Sequence, residues 1–385
     1  MSIDLNNVLQ VAIKGGASDI HLKAGLPPMF RVNGALLPLK DAKRLTPEDI
    51  ARTAVGMMTP YQQQIFKERL DCDFAYGLPG VGRFRVNVFQ QRSAVGMVLR
   101  VIPYKVKTIE QLMLPDGVKK LAEVHRGLVL VTGTTGSGKS TTLAAIIDHI
   151  NSSRSAHVIT VEDPIEFLMR DKRSVINQRE VGSDCLTFAS ALRGALRQDP
   201  DVILVGEMRD AETIEIAMTA AETGHLVLST LHTTDATETI TRIVTSFEPH
   251  MQEQVRLQLS GMLKGVISQR LVPTTDGKGR VPAVEVMIAS ARIRELIMDA
   301  QRFREIREAI SQGGDTYGMQ TFDQSLMWLL NKGMITYEEA LLQATNPDDF
   351  ALKVSGIESG DAGAWNPNAD GGRSGTDASF DFDDF

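Results

Sequence analysis

Hydrophobic and polar positions follow two different rhythms along this chain, and the rhythm changes near Gly127. Before that point the stretches are short. "IDLNNVLQVAIKGG" spaces its apolar residues at helical intervals and stops at two glycines, which predicts an amphipathic helix. "SDIHL" and "MFRVNGALLPL" read as strands around a turn, and "GRFRVNVFQQRSAVGMVLRVI" as a hairpin-like pair. A small α/β domain over residues 1–103 is the expectation, followed by a linker over 104–117 in "PYKVKTIEQLMLP", where proline stands at both ends. From Gly127 apolar strands give way to glycine turns and long helices. "GLVLVTG", "HVITVED", "VILVGE" and "HLVLSTLH", with helices between them, predict a largely parallel sheet covered on both faces, with "VILVGE" beside "GLVLVTG". This second domain is expected to span 118–290. Amphipathic stretches in "ARIRELIMDAQRFREIREAI" and "TFDQSLMWLLNKGMITYEEALLQA" predict a closing helical bundle over 291–350. The Gly-, Asp-, Ser- and Asn-rich remainder cannot bury a core, so residues 351–385 are expected to be a disordered acidic tail.

Composition narrows the class. A chain of 385 residues can bury two cores, and 43% hydrophobic with 23% charged content is that of a soluble globular protein. No apolar run reaches the roughly 18 to 20 residues of a membrane-spanning helix. The opening "MSIDLNNVLQVAIKGG" lacks the basic start and apolar centre of a signal peptide, so a cytoplasmic protein is expected. Cys72 and Cys185 are far apart and form no C-x-x-C pair, which predicts free thiols rather than a disulfide or a zinc site. Residues 354–385 hold seven acids against Arg373 and account for −6 of the −7 net charge. The body is therefore near neutral and offers nucleic acid no overall attraction, so none is expected as a partner.

The chemistry concentrates in the second half. Residues 133–140, "GTTGSGKS", fit the phosphate-loop pattern between the strand "LVLV" and the helix "STTLAAIIDHI". Gly133, Thr134, Thr135, Gly136, Ser137 and Gly138 would wrap phosphates with backbone N–H groups, continuing into Thr141. Lys139 can reach the β- and γ-phosphates, and the Ser140 hydroxyl suits magnesium. Glu207, at the carboxyl end of "VILVGE", can polarise an attacking water; the alternative is a solvated glutamate paired with Arg209. In "TVEDPIEF", Glu162, Asp163 and Glu166 follow another strand and can supply the metal coordination that Gly206 cannot. The alternative there is a helix start, with Asp163 capping and Pro164 in the first turn. His225 and His232 flank "LVLSTL", with His232 the better placed to sense a γ-phosphate. Arg83, Arg85 and Arg92 alternate with apolar residues, as on a solvated strand face, or as donors to a neighbour's nucleotide in a ring.

Taken together, "GGASDIHL", "GRFRVNVF", "VTGTTGSGKSTTLAA", "TVEDPIEF", "NQREVG", "ALRQDPDVILVGEMRDAETI", "AETGHLVLSTLHT" and "GMQTFD" resemble, in that order, the secretion ATPases of the type IV pilus and type II secretion superfamily, most closely PilT-like retraction ATPases. The resemblance implies a PAS-like N-terminal α/β domain joined by a mobile linker to a RecA-like P-loop ATPase domain with a helical end. It implies ATP and Mg2+ as ligands, Glu207 as the catalytic carboxylate, and Glu162 and Asp163 organising metal and water. Both histidines fall in its histidine box. It further implies a homo-hexameric ring with ATP between subunits, which makes Arg83, Arg85 and Arg100 candidate contacts across the boundary. Its action on pilus disassembly would run through an inner-membrane platform protein, with membrane attachment only through partners and a paralogous pilus ATPase as a further candidate partner. Extension and type II secretion ATPases usually carry a longer N-terminal region and a four-cysteine zinc module, which two lone cysteines do not match. "RIRELIMD" departs from the retraction family's late motif at Met298 and Asp299, and this together with the tail also fits an accessory PilU-like ATPase. A regulatory nucleotide-binding ring that hydrolyses little is the reading from another class, against which Lys139, Glu162 and Glu207 are all intact.

Overall fold

The computed structural model describes residues 4–32, 34–103 and 106–356. They form two compact units: one holds the described part of Met1–Lys105 with Asp163–Met169 and Glu180–Leu186, the other Val106–Glu162, Arg170–Arg179 and the described residues from Thr187 on.

In the first unit, α1 (Leu5–Lys14) begins at Asp4, whose side chain accepts from the Asn7 N–H, and ends at Gly15. Six strands, β1 (Asp19–Leu22), β2 (Met29–Val32), β3 (Ala35–Pro38), β4 (Asp71–Leu78), β5 (Gly82–Gln91) and β6 (Ala94–Ile102), form one sheet in the order β3-β2-β1-β6-β5-β4. Its pairs are antiparallel. Arg92 and Ser93, both at positive φ, make the tight turn between β5 and β6, so the hairpin read from the alternation is present. Alternate residues of β5 face inward, and Phe84, Val86 and Val88 join Leu9, Ile20, Ile50 and Leu99 in a core. The pattern reading missed α2 (Pro47–Met57) and α3 (Pro60–Arg69). Helix α3 has no fully buried residue, so it shows no apolar stripe. The available signal was at the ends: Thr46-Pro47 with Asp49, and Thr59-Pro60 with Gln62, both form capping boxes.

The second unit is built on β7 (Gly127–Thr132), β8 (His157–Glu162), β9 (Val175–Glu180), β10 (Val202–Val205), β11 (Leu226–Leu231), β12 (Leu263–Pro273) and β13 (Arg280–Ile288). The order is β13-β12-β7-β11-β10-β8-β9. From β12 through β8 the pairs are parallel, and β13 runs antiparallel at the edge. Strands β7, β10 and β11 are buried at every position, as a sheet covered on both faces requires. The covering helices are α4 (Asp116–Ala122), α5 (Lys139–Ser153), α6 (Phe188–Ala195), α7 (Ala211–Glu222), α8 (Ala236–Thr245) and α9 (Gln252–Met262).

Four expectations need correction. Strand β10 does not lie beside β7, because β11 is inserted between them. No helix follows "TVED": residues 163–174 are irregular, so Asp163 caps nothing. The closing helices α10 (Ala291–Met298), α11 (Ile306–Gln312), α12 (Gly314–Tyr317), α13 (Phe322–Asn331), α14 (Tyr337–Gln343) and α15 (Pro347–Val354) are not one bundle. Their short apolar stripes join different cores: Ile293, Leu296 and Ile310 pack with Leu259 of α9, whereas Phe322, Leu326, Ala340 and Phe350 pack with Val272 and Val281 of β12 and β13. Residues 351–354 finish α15 and do not belong to a disordered tail; residues 357–385 of that expectation lie outside the described residues. Among the described residues no helix is long and apolar enough to cross a membrane.

Candidate functional site

Strand β7 ends at Thr132, and the chain turns through residues 133–138 into α5. A side chain at Gly133 would put Cβ 2.5 Å from both the Gln269 carbonyl oxygen and Ser137 Oγ, so glycine alone fits where the loop passes β12. Gly138, which opens α5, supplies no side-chain cap, so the first N–H groups of the helix remain for a ligand. The buried Lys139 turns back on the loop, its Nζ donating to Gly133 O at 2.8 Å and Thr134 O at 3.0 Å. Burial lowers the Lys139 pKa, with the Glu207 carboxylate opposing that shift. Ser137 is 3% exposed and its Oγ has no hydrogen-bond partner. Thr134, Thr135, Gly136 and Ser140 are exposed and Thr141 is half-buried. A cavity of about 450 Å³ opens beside the loop, bounded by Thr234, Gln269, Arg270 and Gln343. A buried ammonium, a buried hydroxyl without a partner and an uncapped helix start all suit a polyphosphate.

Glu207 reaches this end of the sheet although its strand is one place further away than expected. The chain after β10 runs on beside the end of β11, where Thr230 Oγ1 donates to Gly206 O at 2.6 Å and Met208 N donates to Thr230 O at 3.3 Å. That course brings Glu207 to His232, which follows β11, with 3.0 Å between Glu207 Oε1 and His232 Nε2. Arg209 Nη2 lies 2.8 Å from the other carboxylate oxygen. The Arg209 pairing is therefore real, but its guanidinium is 64% exposed against 17% for Glu207, and water screens an exposed pair. The other carboxylate oxygen meets His232, itself exposed at 48%, and the carboxylate lies within the field of the buried Lys139.

Gly206 has a steric reason. A Cβ there would sit 3.2 Å from Val161 O and 3.3 Å from Glu162 Cα, so an aspartate would press on the end of β8. The carboxylate on that side is Glu162 itself, buried as the last residue of β8. Thr160 Oγ1 donates to its Oε1 at 2.7 Å and Gln178 Nε2 at 3.2 Å. These two holders were missed, although a threonine two residues before an acid on a strand shares its face, which is a usable signal. Asp163 and Glu166 are exposed in the irregular segment that follows.

The two histidines part company. His232 follows β11 at the phosphate-loop edge; His225 precedes β11 at the opposite edge, where its carbonyl accepts from Gly127 N at 2.9 Å and its Nδ1 meets Ala220 O at 2.9 Å. A strand's length of roughly 20 Å separates them, so within one chain His225 is not at the loop. In the first unit Arg83 Nη2 bonds Glu180 Oε2 at 3.3 Å, and Arg100 Nε bonds Asp19 Oδ1 at 2.9 Å. Although burial of Asp19 opposes it, the bonds from Arg100 and Ser18 hold that carboxyl below its ordinary range. Arg85 is exposed and directly opposite Arg100 in the β5–β6 register, and Arg92 is exposed in the turn.

Comparison with known proteins fits this geometry. The family model described as "Type II/IV secretion system protein" matches residues 1–340. The type IV pilus retraction ATPase PilT of Pseudomonas aeruginosa is 48% identical over 348 residues, covering 90% of this chain and 100% of that protein. The type IV pilus ATPase PilU of the same organism is 42% identical over 352 residues, covering 91% of each. A crystal structure of the pilus retraction motor PilT with bound ADP superposes with a TM-score of 0.81 at 49% identity, covering 90% of this chain and 98% of that one. With a family match over most of its length and a relative that aligns end to end, this chain belongs to the type II/IV secretion system protein family.

Proposed function

We propose that this chain is an ATP-hydrolysing motor that powers type IV pilus retraction. One observation carries the reading: a buried phosphate-loop lysine and a glutamate held by His232 at 3.0 Å meet at one sheet edge, in a chain collinear with a retraction ATPase over that relative's full length. When ATP occupies the loop, Lys139 exchanges its bonds to Gly133 O and Thr134 O for β- and γ-phosphate oxygens. Glu207 accepts the proton of the water that attacks the γ-phosphate. His232, donating from Nε2, aims the carboxylate. Ser140 and Glu162 would hold Mg2+, which neutralises charge building on the phosphates when bound.

The working assembly is a homo-hexamer with the nucleotide between subunits. Arg85 and Arg100 stand directly opposite on neighbouring strands, and like charges so placed disfavour the sheet. Asp19 answers Arg100 alone, so Arg85 is suited to a counter-charge from outside the sheet, such as a neighbour's phosphates. Arg83 would join it on leaving Glu180. The ring acts at the cytoplasmic face of the inner membrane through the pilus platform protein, and a paralogous pilus ATPase can join it there.

Complementation of a retraction-deficient strain tests the reading. The wild-type chain should restore twitching and Lys139→Ala should not. Restoration by both, or ATP turnover by the purified wild type with no restoration, would overturn it.

A further inference from the structure

One enclosed carboxylate takes no part in the reaction above. Glu285 lies on β13, is 5% exposed, and has no ion-pair partner among the described residues. Its Oε1 accepts the backbone N–H of Ala236 at 2.9 Å. Ala236 is the first residue of α8, and the capping Asp235 side chain is engaged with the Glu238 N–H at 2.7 Å, which leaves the Ala236 donor to Glu285. Register adds a second relation. Glu285 pairs with Ser268, and Ser268 with Thr132, the residue before the phosphate loop. Paired residues share a face, and the Thr132 and Ser268 hydroxyls bond at 2.9 Å. Glu285 thus stands in the row that ends at the loop.

Helix α8 begins four residues after His232, and the intervening segment is tied to the helix. Thr234 donates from N and from Oγ1 to Glu238 Oε2, each at 2.7 Å, and the Thr233 and Thr239 hydroxyls bond at 2.6 Å. Segment and first turn therefore move as one body. The polar contacts leaving that body run to Glu207 through His232 and to Glu285 through Ala236. A buried acid without a cation is expensive where a leucine would pack, and its same-face neighbours on β13, Ala283 and Met287, are apolar and buried.

We propose that Glu285 is a positioning residue: from β13 it fixes the start of α8 and so holds His232 against Glu207. This rests on the roles given to Glu207 and His232 above.

Full-length variants test it. Glu285→Gln keeps the acceptor and Glu285→Leu removes it. Ala236→Pro removes the donor at a first-turn position that tolerates proline, after an Asp235 that is already extended at φ −151°. The Gln variant should keep kcat within about twofold. The Leu and Pro variants should each lose about tenfold to about a hundredfold in kcat with KM for ATP unchanged, and their combination no more than the worse of the two. Amide exchange across residues 232–238 should accelerate in both. Turnover of the Leu variant at the wild-type rate, an equal fall in the Gln variant, or losses that multiply in the combination would overturn the assignment. If the Leu variant does not fold, Ala236→Pro carries the same comparison. His232→Ala separates the two levels: wild-type turnover there would sink the reading of His232, whereas unchanged exchange in the Leu and Pro variants sinks the anchor whatever His232 does.

Discussion

Glu207 is half-buried and Glu285 buried, and their surroundings set different tasks. Glu207 has an imidazole and a guanidinium on its oxygens. Glu285 has one backbone N–H, with Arg307 and Arg270 helping at longer range and Asp235 opposing. Burial dominates and pushes the Glu285 carboxyl from its ordinary 4.5 up to about 7. A folded pKa above the unfolded one means that the folded state holds the proton more tightly. The associated stability is fully present below about pH 4.5 and is lost as pH rises through about 7. Glu285→Gln, with no proton to lose, should gain on the wild type by on the order of 3 kcal/mol across that window. Denaturant unfolding of both proteins at several pH values measures the gap, and a constant gap contradicts the assignment. At this scale the phosphate loop was legible because its residues are contiguous. Gln178 as the second holder of Glu162 and Ala236 as the partner of Glu285 were not, since each comes from a distant part of the chain.

Among the elements, the runs that became β7, β8, β10 and β11 could be read because each is rich in apolar, mostly β-branched or leucine residues. Their order could not. Runs buried on both faces look alike in sequence, so nothing ranks β11 as the strand between β7 and β10. What brings Glu207 to His232 is the chain after β10 running on beside β11, and Thr230 pins that segment through Gly206 O. Thr230→Val keeps the shape and removes the bond. It should cost about 1 kcal/mol of stability and about tenfold in kcat by letting Glu207 drift from its place. Unfolding and turnover measured on one preparation check this, and a stability loss with kcat unchanged would show that the bond does not position the carboxylate.

For the whole molecule, two units of different architecture were legible from the change of rhythm near Gly127. Helix α3 was not, because its signal lies in its caps rather than in an apolar stripe; α2 carries both a capping box and the stripe Ile50, Ala54 and Met57, a usable signal that was missed. At this scale the site residues of one chain are incomplete in the proposed ring: the phosphate loop and Glu207 belong to one unit, the arginines of β5 and β6 to the other. Everything in that scheme depends on Glu207 acting on water. The most direct test is Mg2+-dependent ATP turnover by the purified full-length chain beside Glu207→Gln, with the mass of the assembly measured in the same samples. The prediction is turnover by a wild-type hexamer and a loss of about 10²-fold or more in a variant hexamer of unchanged mass. Equal turnover by the two hexamers would contradict it.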